Sequence, residues 1–499
     1  MLSIRKIKTS SGLTAVQIIY YKNRRVVIEK HIGSGNTNQE VDSLIKKAKE
    51  WIVKNSLQDE IFPEKPIDTV SLSDLQFFGV THTFTYQLLE RVARQCGFDI
   101  NRDRFLFDFA IMRLIEPTSK LRAITLLERY FNISYSKRTV YRRILQLKSR
   151  KDAIETIAVK CAKEMLQDDL ALVLYDVTTL YFESFKGDEL RVEGYSKDNK
   201  SQQPQIVVGL IVTCQGFPLG YEVFAGNTFE GKTMLTVLDD FTKKNAVRTP
   251  IIVADAAMLS QTNIEELEKR KLSYIVGARL GNTSSKIIEQ AYNKLQDKDG
   301  KTIRIKTTTG DLIIEFSANR YRKDKHEMEK QIAKAKQLIE RSQKVKHAKF
   351  IKHKNKDNQY ILNETLIEKT KMLLGMKGYC TNIPKTTLSN QNIIKRYHDL
   401  WHVEQSFRMA KTDLASRPIF HHKEEAIRSH ILICFMALAM GKYLESTTEF
   451  SLKRIIDAIW IVTDAKIHDT TNDRDFTVRS EISKHSLEII NKLNESLSY

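Results

Sequence analysis

The order of hydrophobic and polar positions changes character three times along the chain. Residues 1 to 35 alternate apolar and polar positions in short bursts between turn signals, which predicts a small antiparallel sheet. Residues 70 to 168 have helical periodicity instead. From Ala171 short apolar runs typical of strands appear, and helical segments follow the third and fourth of them. We therefore expect a mixed sheet flanked by helices in this region of the chain.

Residues 281 to 378 interrupt the strand pattern. They contain a predicted hairpin around Thr309-Gly310-Asp311 and then a long cationic helical region. Residues 320 to 358 hold 14 Lys and Arg against 5 Asp and Glu. A solvated helical face is the usual origin of such a run, but this concentration of charge favours a surface that follows phosphates.

Two helical runs between residues 119 and 147 meet at a break near Asn132. The second run begins at Ser136, a candidate N-cap, and places cations over two turns. Its candidate DNA-contacting residues are Arg138, Arg142 and Arg143. A helix-turn-helix that reads the major groove has this pattern, and so does a solvated amphipathic helix, so spacing alone leaves both interpretations open.

Composition points to a soluble protein with an anionic partner. Apolar residues make up 41% of the 499 positions and charged residues 28%, which is the balance of a multidomain globular protein. A net charge of +19 with an isoelectric point near 9.4 makes nucleic acid the first candidate partner.

Cysteine usage and hydropathy bear on location. The five cysteines lie far apart without a C-x-x-C pair, which argues against disulfides and structural zinc and indicates a reducing cytoplasm. The longest apolar stretch, Ile431 to Met440, is half the length of a membrane span, so we expect a buried helix and no membrane partner.

Two carboxylates follow apolar runs in the predicted sheet. Asp176 ends the run that starts at Leu172, and Asp255 ends the run that starts at Ile251. We expect both at strand ends, where open α/β sheets place their ligands. A single acid after a strand is usually only a turn or cap residue, so a third acid is needed for a functional interpretation.

The third acid lies in a segment with the periodicity of one helix. Tyr397, Glu404 and Lys411 are seven residues apart, which predicts a stripe along one helix face, next to an apolar face that can pack on the sheet. Three converging carboxylates repel one another by about 4 kcal/mol per close pair, so they require cations. Oxygen-only ligation suits two Mg²⁺ or Mn²⁺ ions acting on a phosphodiester.

This helix resembles the Y-(2)-R-(3)-E-(6)-K signature of bacterial insertion-sequence DDE transposases of the "insertion sequence four" superfamily. Tyr397, Glu404 and Lys411 fall in register with it. Leu400 stands where the signature has Arg, and Arg396 and Arg408 are candidates to make the phosphate contact in its place. Four further blocks are similar to the same family: residues 114–120, 175–179, 194–198 and 253–259.

The resemblance implies an RNase H-like catalytic domain that cleaves and joins DNA in cut-and-paste transposition. It makes Asp176, Asp255 and Glu404 the catalytic residues and the ligands of two Mg²⁺ or Mn²⁺ ions, and places Tyr397 and Lys411 on the DNA backbone. The implied partners are double-stranded DNA, as terminal inverted repeats and target, and a second copy of the chain, since joining two ends needs a homodimer on DNA. We expect the protein in the cytoplasm, associated with the nucleoid.

The resulting fold class is α/β, an RNase H-like domain split by an insertion and preceded by a β-rich and helical DNA-binding region. The predicted divisions are a β-rich domain at 1–57, a helical DNA-binding region at 70–168, a first catalytic segment at 169–280, a basic insertion at 281–378, a second catalytic segment at 379–450 and a helical segment at 451–499.

Other interpretations compete with this one. Residues 226–233 match the P-loop pattern, and the run that ends at Asp255 resembles a Walker B strand, which suggests an NTPase acting on nucleic acid. Glu230 would set a negative charge against the nucleotide phosphates. A catalytically silent DNA-binding derivative of a transposase is another possibility. His398 and His402 are spaced to bind zinc, but such residues are more often surface or DNA-facing histidines.

Overall fold

The computed structural model describes residues 2–22, 24–55, 72–167, 170–195, 202–245, 250–258, 260–295, 298–308, 310–340, 348–354, 359–470 and 473–496. Thr309, Leu259 and residues 196–198, which belong to the predicted turn and to two of the similar blocks, lie outside the described residues. So do two stretches of the basic insertion, residues 341–347 and 355–358. The chain divides into two compact units, Met1–Asp74 and Leu75–Tyr499.

The first unit is a three-stranded antiparallel sheet with one helix. Its elements are β1 (Ser3–Lys8), β2 (Thr14–Lys22), β3 (Arg25–Gly35) and α1 (Asn38–Asn55). The sheet order is β1-β2-β3, which confirms the antiparallel sheet predicted from the alternating pattern. Val16 and Ile18 of β2 are buried against Val41 and Ala48 of α1, and this small core holds the unit together.

The second unit begins with a strand and five helices. They are β4 (Leu75–Thr81), α2 (Thr83–Gln95), α3 (Ile100–Ile115), α4 (Lys120–Phe131), α5 (Lys137–Gln146) and α6 (Lys151–Leu166). Asn132 adopts a left-handed conformation (φ 56°) and ends α4, and the Ser136 side chain caps α5 by accepting a hydrogen bond from the Thr139 amide. Both features confirm the predicted break and N-cap.

A mixed eight-stranded sheet forms the centre of this unit. Its strands are β5 (Leu172–Tyr181), β6 (Gln205–Thr213), β7 (Pro218–Ala225), β8 (Ile251–Ala254), β9 (Ser273–Ala278), β10 (Thr302–Thr307), β11 (Gly310–Phe316) and β14 (Met376–Thr381). The order is β10-β11-β14-β9-β8-β5-β6-β7, with β5, β8 and β9 parallel and the other pairs antiparallel. A mixed α/β architecture is therefore confirmed.

The helices of this sheet region lie between its strands along the chain. They are α7 (Glu230–Asn245), α8 (Gln261–Lys269), α9 (Ser285–Leu295), α10 (Ala318–Glu340) and α11 (Glu364–Leu373). A separate hairpin pairs β12 (Ile351–Lys354) with β13 (Gln359–Leu362). The predicted hairpin of the insertion is β10 and β11, and it extends the central sheet through β11 and β14.

The remaining elements close the unit. They are α12 (Asn390–His398), α13 (Trp401–Arg408), α14 (Glu424–Thr448), α15 (Leu452–Trp460), β15 (Asp464–Asp469), β16 (Arg474–Arg479) and α16 (Lys484–Ser496). β15 pairs with both β16 and β4, so a strand near residue 465 completes a sheet begun near residue 80. Among the described residues α14 alone is long and apolar enough to cross a membrane, but it is a core helix, since 94% of its apolar window is buried.

Candidate active site

The register of two parallel strands places Asp176 and Asp255 side by side. β5 and β8 pair from Leu172 opposite Ile251 to Tyr175 opposite Ala254, and the two aspartates are the next residues on their strands. Residues at the same level of adjacent strands point to the same face of a sheet, so both carboxylates lie on one face, with neighbouring strands about 4.8 Å apart.

Asp176 does not end its strand, and that prediction is wrong. β5 continues to Tyr181 and pairs with β6 throughout, with Asp176 opposite Leu210. The residues after Asp176, beginning with Val177 and Thr178, favour extended structure and are buried, so the strand runs on after β8 has ended. Asp176 is thus held in mid-strand by pairing on one side and borders the end of β8 on the other.

Asp255 is held by two hydrogen bonds to the same oxygen. The amide of Ala256 donates to Oδ1 over 2.6 Å, and the hydroxyl of Tyr397 donates to it over 3.1 Å. Tyr397 lies on α12 and is only 7% exposed, with its ring against Tyr379 of β14. The prediction that Tyr397 contacts DNA stays a prediction, and in this structure its hydroxyl is engaged with a carboxylate.

Three carboxylates act electrostatically on the phenol of Tyr397. Burial is the main cause of the raised pKa of Tyr397, and the charges of Asp255, Glu404 and Asp176 raise the pKa further. The charges of all three acids predicted to act together thus raise the pKa of one buried side chain, and Asp255 is the one that contacts it.

Glu404 comes from a helix that packs on the sheet. α13 contacts β5 and β6, with Val403 and Phe407 buried beneath it. Ser406 fixes the helix from below, since its hydroxyl donates to the carbonyl of Gly216 over 2.7 Å. Glu404 itself is exposed on the outer face of α13, where it is accessible to a ligand.

The segment from Tyr397 to Lys411 is not one helix, contrary to the prediction. α12 ends at His398, α13 begins at Trp401, and Met409–Asp413 forms a π-helical turn. The wider π turn breaks the seven-residue stripe at Lys411 because it changes the rotation per residue. Lys411 is half-buried and lines the same small cavity as Thr178 of β5, and Arg408 is exposed at the end of α13.

Sequence spacing did not reveal Lys377 as a member of the site. Its Nζ atom lies 4.7 Å from the centre of the Tyr397 ring. Burial and the charge of Arg320 lower the pKa of Lys377, while Asp255, Glu315 and Glu404 act in the opposite sense. Lys377 stands on β14, more than a hundred residues from Asp255 along the chain, and no local pattern links the two.

The donor chemistry of the carboxylates suits Mg²⁺ or Mn²⁺, because these ions prefer oxygen ligands. Within the residues that the structure describes, no group of three or more His, Cys, Asp and Glu side chains is arranged to hold a metal ion. Asp176 and Asp255 are thus adjacent, and the charge of Glu404 acts on the Tyr397 phenol, but the three acids do not form a ready-made ligand cluster.

The segment with the P-loop pattern has structural contacts in this fold. The hydroxyl of Tyr175 donates to Oγ1 of Thr233 over 2.7 Å, and Thr233 donates to the carbonyl of Glu230 over 2.6 Å. Thr233 is fully buried, and a Cβ atom added to Gly226 would collide with the backbone carbonyls of Val192 and Gln205. A phosphate-binding loop needs open amide groups and an accessible hydroxyl, so these contacts weigh against nucleotide binding.

The predicted DNA-contacting arginines of α5 are all exposed. Val140 and Ile144 bury the other face of the helix, while Arg138, Arg142 and Arg143 are exposed to solvent. This arrangement fits both a groove-reading helix and a solvated amphipathic helix, so their role stays a prediction.

Comparisons with known proteins bear on the region that carries the acids. Residues 168–440 match the family model described as "Transposase DDE domain". No curated protein matches the chain. A solved structure described as the piggyBac transposase synaptic complex with hairpin DNA is similar at 10% sequence identity and a TM-score of 0.38, covering 83% of this chain and 78% of that one. A structural likeness at this TM-score is too weak to assign any property to the chain.

Proposed function

We propose, since the chain belongs to the transposase DDE domain family, that it excises and inserts an insertion-sequence element by cleaving and joining DNA strands. The observation that carries the proposal is the placement of Asp176 and Asp255 side by side, with the charge of Glu404 acting on the same buried Tyr397. We assign these three acids the catalytic role.

The catalytic domain is proposed to be RNase H-like. Three antiparallel strands, β5 to β7, are followed by β8 and β9, which run parallel to β5 on its other side. The sheet order third, second, first, fourth, fifth is the arrangement of RNase H-like domains. The Y-(2)-R-(3)-E-(6)-K likeness further favours the "insertion sequence four" superfamily, although Leu400 replaces its Arg.

Asp176, Asp255 and Glu404 would hold two Mg²⁺ or Mn²⁺ ions. Bound there, such ions neutralise charge at phosphorus and lower the pKa of an attacking water or 3′-hydroxyl. Tyr397 keeps the Asp255 carboxylate oriented, because its buried hydroxyl donates to Oδ1. Lys377 sets a positive charge behind the same ring and offsets some of the negative charge of the acids.

DNA is the proposed partner along several surfaces. The cations of α10 are all exposed to solvent: Arg320, Arg322, Lys323, Lys325, Lys330, Lys334 and Lys336. A row of exposed cations attracts the phosphate backbone regardless of sequence. Together with the exposed arginines of α5 it supports binding of DNA. The proposed ligands are terminal inverted repeats and target DNA, bound by a homodimer at the nucleoid.

The decisive experiment is strand cleavage of DNA that carries the ends of the protein's own element, with Mg²⁺ and without ATP. Asp176→Asn should lower the rate about 10³-fold, since several kcal/mol of charge stabilisation is lost. DNA affinity should stay the same or rise slightly, because a negative charge is removed. Asp457→Asn, at an exposed position of α15, is the matched control.

Two outcomes would favour the alternatives. A wild-type protein that binds the ends but never cuts them would be a silent DNA-binding derivative. Cleavage that needs ATP and is lost in Lys232→Ala would favour the NTPase. Cleavage unchanged in Asp176→Asn would refute the assignment of the acids.

A further inference from the structure

A cavity of about 630 Å³ lies away from the three acids, between the helices α3 to α5 and the segment from Ala415 to His430. This volume is in the range of sites that hold small organic ligands. Four cationic side chains line it: Arg113, Lys120, Arg417 and Lys423. Three histidines complete the polar lining, and none of the lining residues is acidic.

Two of the cations that line the cavity, Lys120 and Arg113, contact imidazole rings. Nζ of Lys120 lies 2.7 Å from Nδ1 of His421, and Nη2 of Arg113 lies 3.4 Å from Nδ1 of His430. A lysine or arginine N–H can only donate, so each ring must accept through Nδ1 and be neutral. The rings therefore solvate the positive charges of Lys120 and Arg113 but do not neutralise them.

The electrostatics of the histidines reflect this surplus. Burial lowers the pKa of His421 to about 2, and electrostatic interactions with His430, Lys120, Arg113 and His422 lower it further. Burial also lowers the pKa of His430 to about 3, with Arg113 and Lys120 acting in the same sense. An anion in the cavity would relieve the repulsion among these groups.

The rest of the cavity wall is apolar and aromatic. Tyr141 is 50% exposed and Phe420 is 63% exposed, which is unusual for side chains of this size. Nζ of Lys120 lies 5.0 Å from the centre of the Tyr141 ring, so charge and aromatic surface adjoin. A nucleotide joins an anionic phosphate to a flat base. A ligand of this kind fits both the cationic and the aromatic part of the cavity wall.

The cavity connects to the proposed catalytic strand. The amide of Ile419 donates to the carbonyl of Tyr181 over 3.1 Å, and Ile419 pairs with Phe182 in a parallel bridge just beyond the end of β5. Asp176 is six residues earlier on this strand, a distance of about 20 Å at 3.3 Å per residue. A DNA strand that runs from the acids along β5 would reach the cavity within a few nucleotides.

We propose that this cavity binds a backbone phosphate of the DNA, with Lys120 and Arg113 as its cations and with Tyr141 and Phe420 against the attached sugar or base. The inference rests on the proposed function, since it names a contact made by DNA outside the catalytic acids. The start of α4, at Lys120, adds the positive end of a helix to the same wall.

The test is the salt dependence of DNA binding, measured by fluorescence anisotropy on the full chain with a labelled duplex between 50 and 200 mM salt. Lys120→Gln should lower the slope of log K against log salt by about 0.9 and weaken binding about tenfold at 0.1 M salt, because one phosphate contact is lost. Lys286→Gln, on the exposed face of α9, should match wild type.

A second variant keeps the test valid if Lys120→Gln does not fold. Lys423 is exposed at the rim of the cavity, and Lys423→Gln should lower the slope in the same direction. Thermal unfolding of each variant identifies loss of structure.

Three results would overturn the proposal. Slopes and affinities of both variants equal to wild type, in a protein that still binds and cuts DNA, would refute the cavity contact alone. A wild-type protein that does not bind DNA would refute the proposed function and this inference together. Thermal stabilisation by inorganic phosphate that Lys120→Gln abolishes, with DNA affinity unchanged, would assign the cavity to a free phosphate instead.

Discussion

The hydroxyl of Tyr397 donates a hydrogen bond to Oδ1 of Asp255 over 3.1 Å, across 142 residues of sequence. The bond ties α12 to the end of β8 and leaves Asp255 little freedom to rotate, since the amide of Ala256 binds the same oxygen. A buried phenol that positions a carboxylate in this way should matter more for the acid's orientation than for overall stability.

Tyr397→Phe tests that role directly. Removing the hydroxyl should cost about 1 kcal/mol of folding free energy. The Mg²⁺ concentration for half-maximal cleavage should rise about tenfold or more, because a partner that orients a ligand typically has that effect. A magnesium titration of the cleavage rate measures it, with the exposed Tyr21→Phe as control. Unchanged magnesium dependence would remove the positioning role.

Gly277→Ala should reproduce this defect from the opposite side of the contact. A Cβ atom added to Gly277 on β9 would collide with the hydroxyl of Tyr397, and the ring would have to move away from Asp255. We expect slower cleavage and a higher magnesium requirement of the same kind as in Tyr397→Phe.

Gly281→Ala is the matched control, because an added Cβ there meets nothing within 4 Å. Equal cleavage by Gly277→Ala and Gly281→Ala would show that the Tyr397 contact is dispensable.

Arg150→Met should destabilise the helical region by about 3 kcal/mol, because removing the arginine leaves a buried carboxylate without its partner. Arg150 binds Asp103 through Nε at 2.7 Å and Nη2 at 2.8 Å, and the Asp103 side chain is only 3% exposed. Urea denaturation followed by circular dichroism gives the loss.

The double variant Arg150→Met with Asp103→Leu should recover most of that stability, since no buried charge remains. Lys160→Met, which breaks an exposed contact with Glu164 at 3.8 Å, should cost less than about 1 kcal/mol. A double variant as unstable as the single one would show that packing, and not the unpaired charge, sets the cost.

The stability of the protein should depend on His430 below neutral pH. Burial lowers its pKa to about 3, so below pH 6.5 the unfolded chain binds a proton that the folded chain does not. The stability that neutral His430 provides is complete above pH 6.5 and is lost toward pH 3, by about 1.4 kcal/mol per pH unit at most.

His430→Gln should flatten this section of the pH profile, measured as the urea midpoint from pH 7 to pH 4.5. His31→Gln, at an exposed position, should leave the slope as in wild type. Identical slopes in all three proteins would mean that His430 is protonated in the folded state.

Local features were predicted well because their causes are local. The cap at Ser136 and the break at Asn132 follow from side chains acting within one turn, and the burial of α14 follows from its unbroken apolar run. The mixed sheet follows from the same kind of pattern. The apolar run before each of Asp176 and Asp255 predicted a strand there, but not that the two strands are neighbours or that Asp176 lies within its strand.

Features that depend on distant partners were not predictable. The length of β5 depends on β6, which offers a partner as far as Gln205 opposite Tyr181. The turn between α12 and α13 contains no Gly or Pro, so the sequence has no local signal that predicts it. Lys377 reaches the site only because β14 pairs with β9, a contact between segments about a hundred residues apart.

The pairing of β4 with β15 has a consequence for synthesis of the protein. Leu75–Thr81 leaves the ribosome almost four hundred residues before Asp464–Asp469. During most of translation this segment therefore has no partner strand for its hydrogen-bonding edge, and Phe77 and Phe78 are exposed. At 5–20 residues per second that interval is about 20 to 80 seconds. A nascent chain whose synthesis stops before residue 464 would keep this unpaired strand edge, and should be a preferred target for chaperones and proteases.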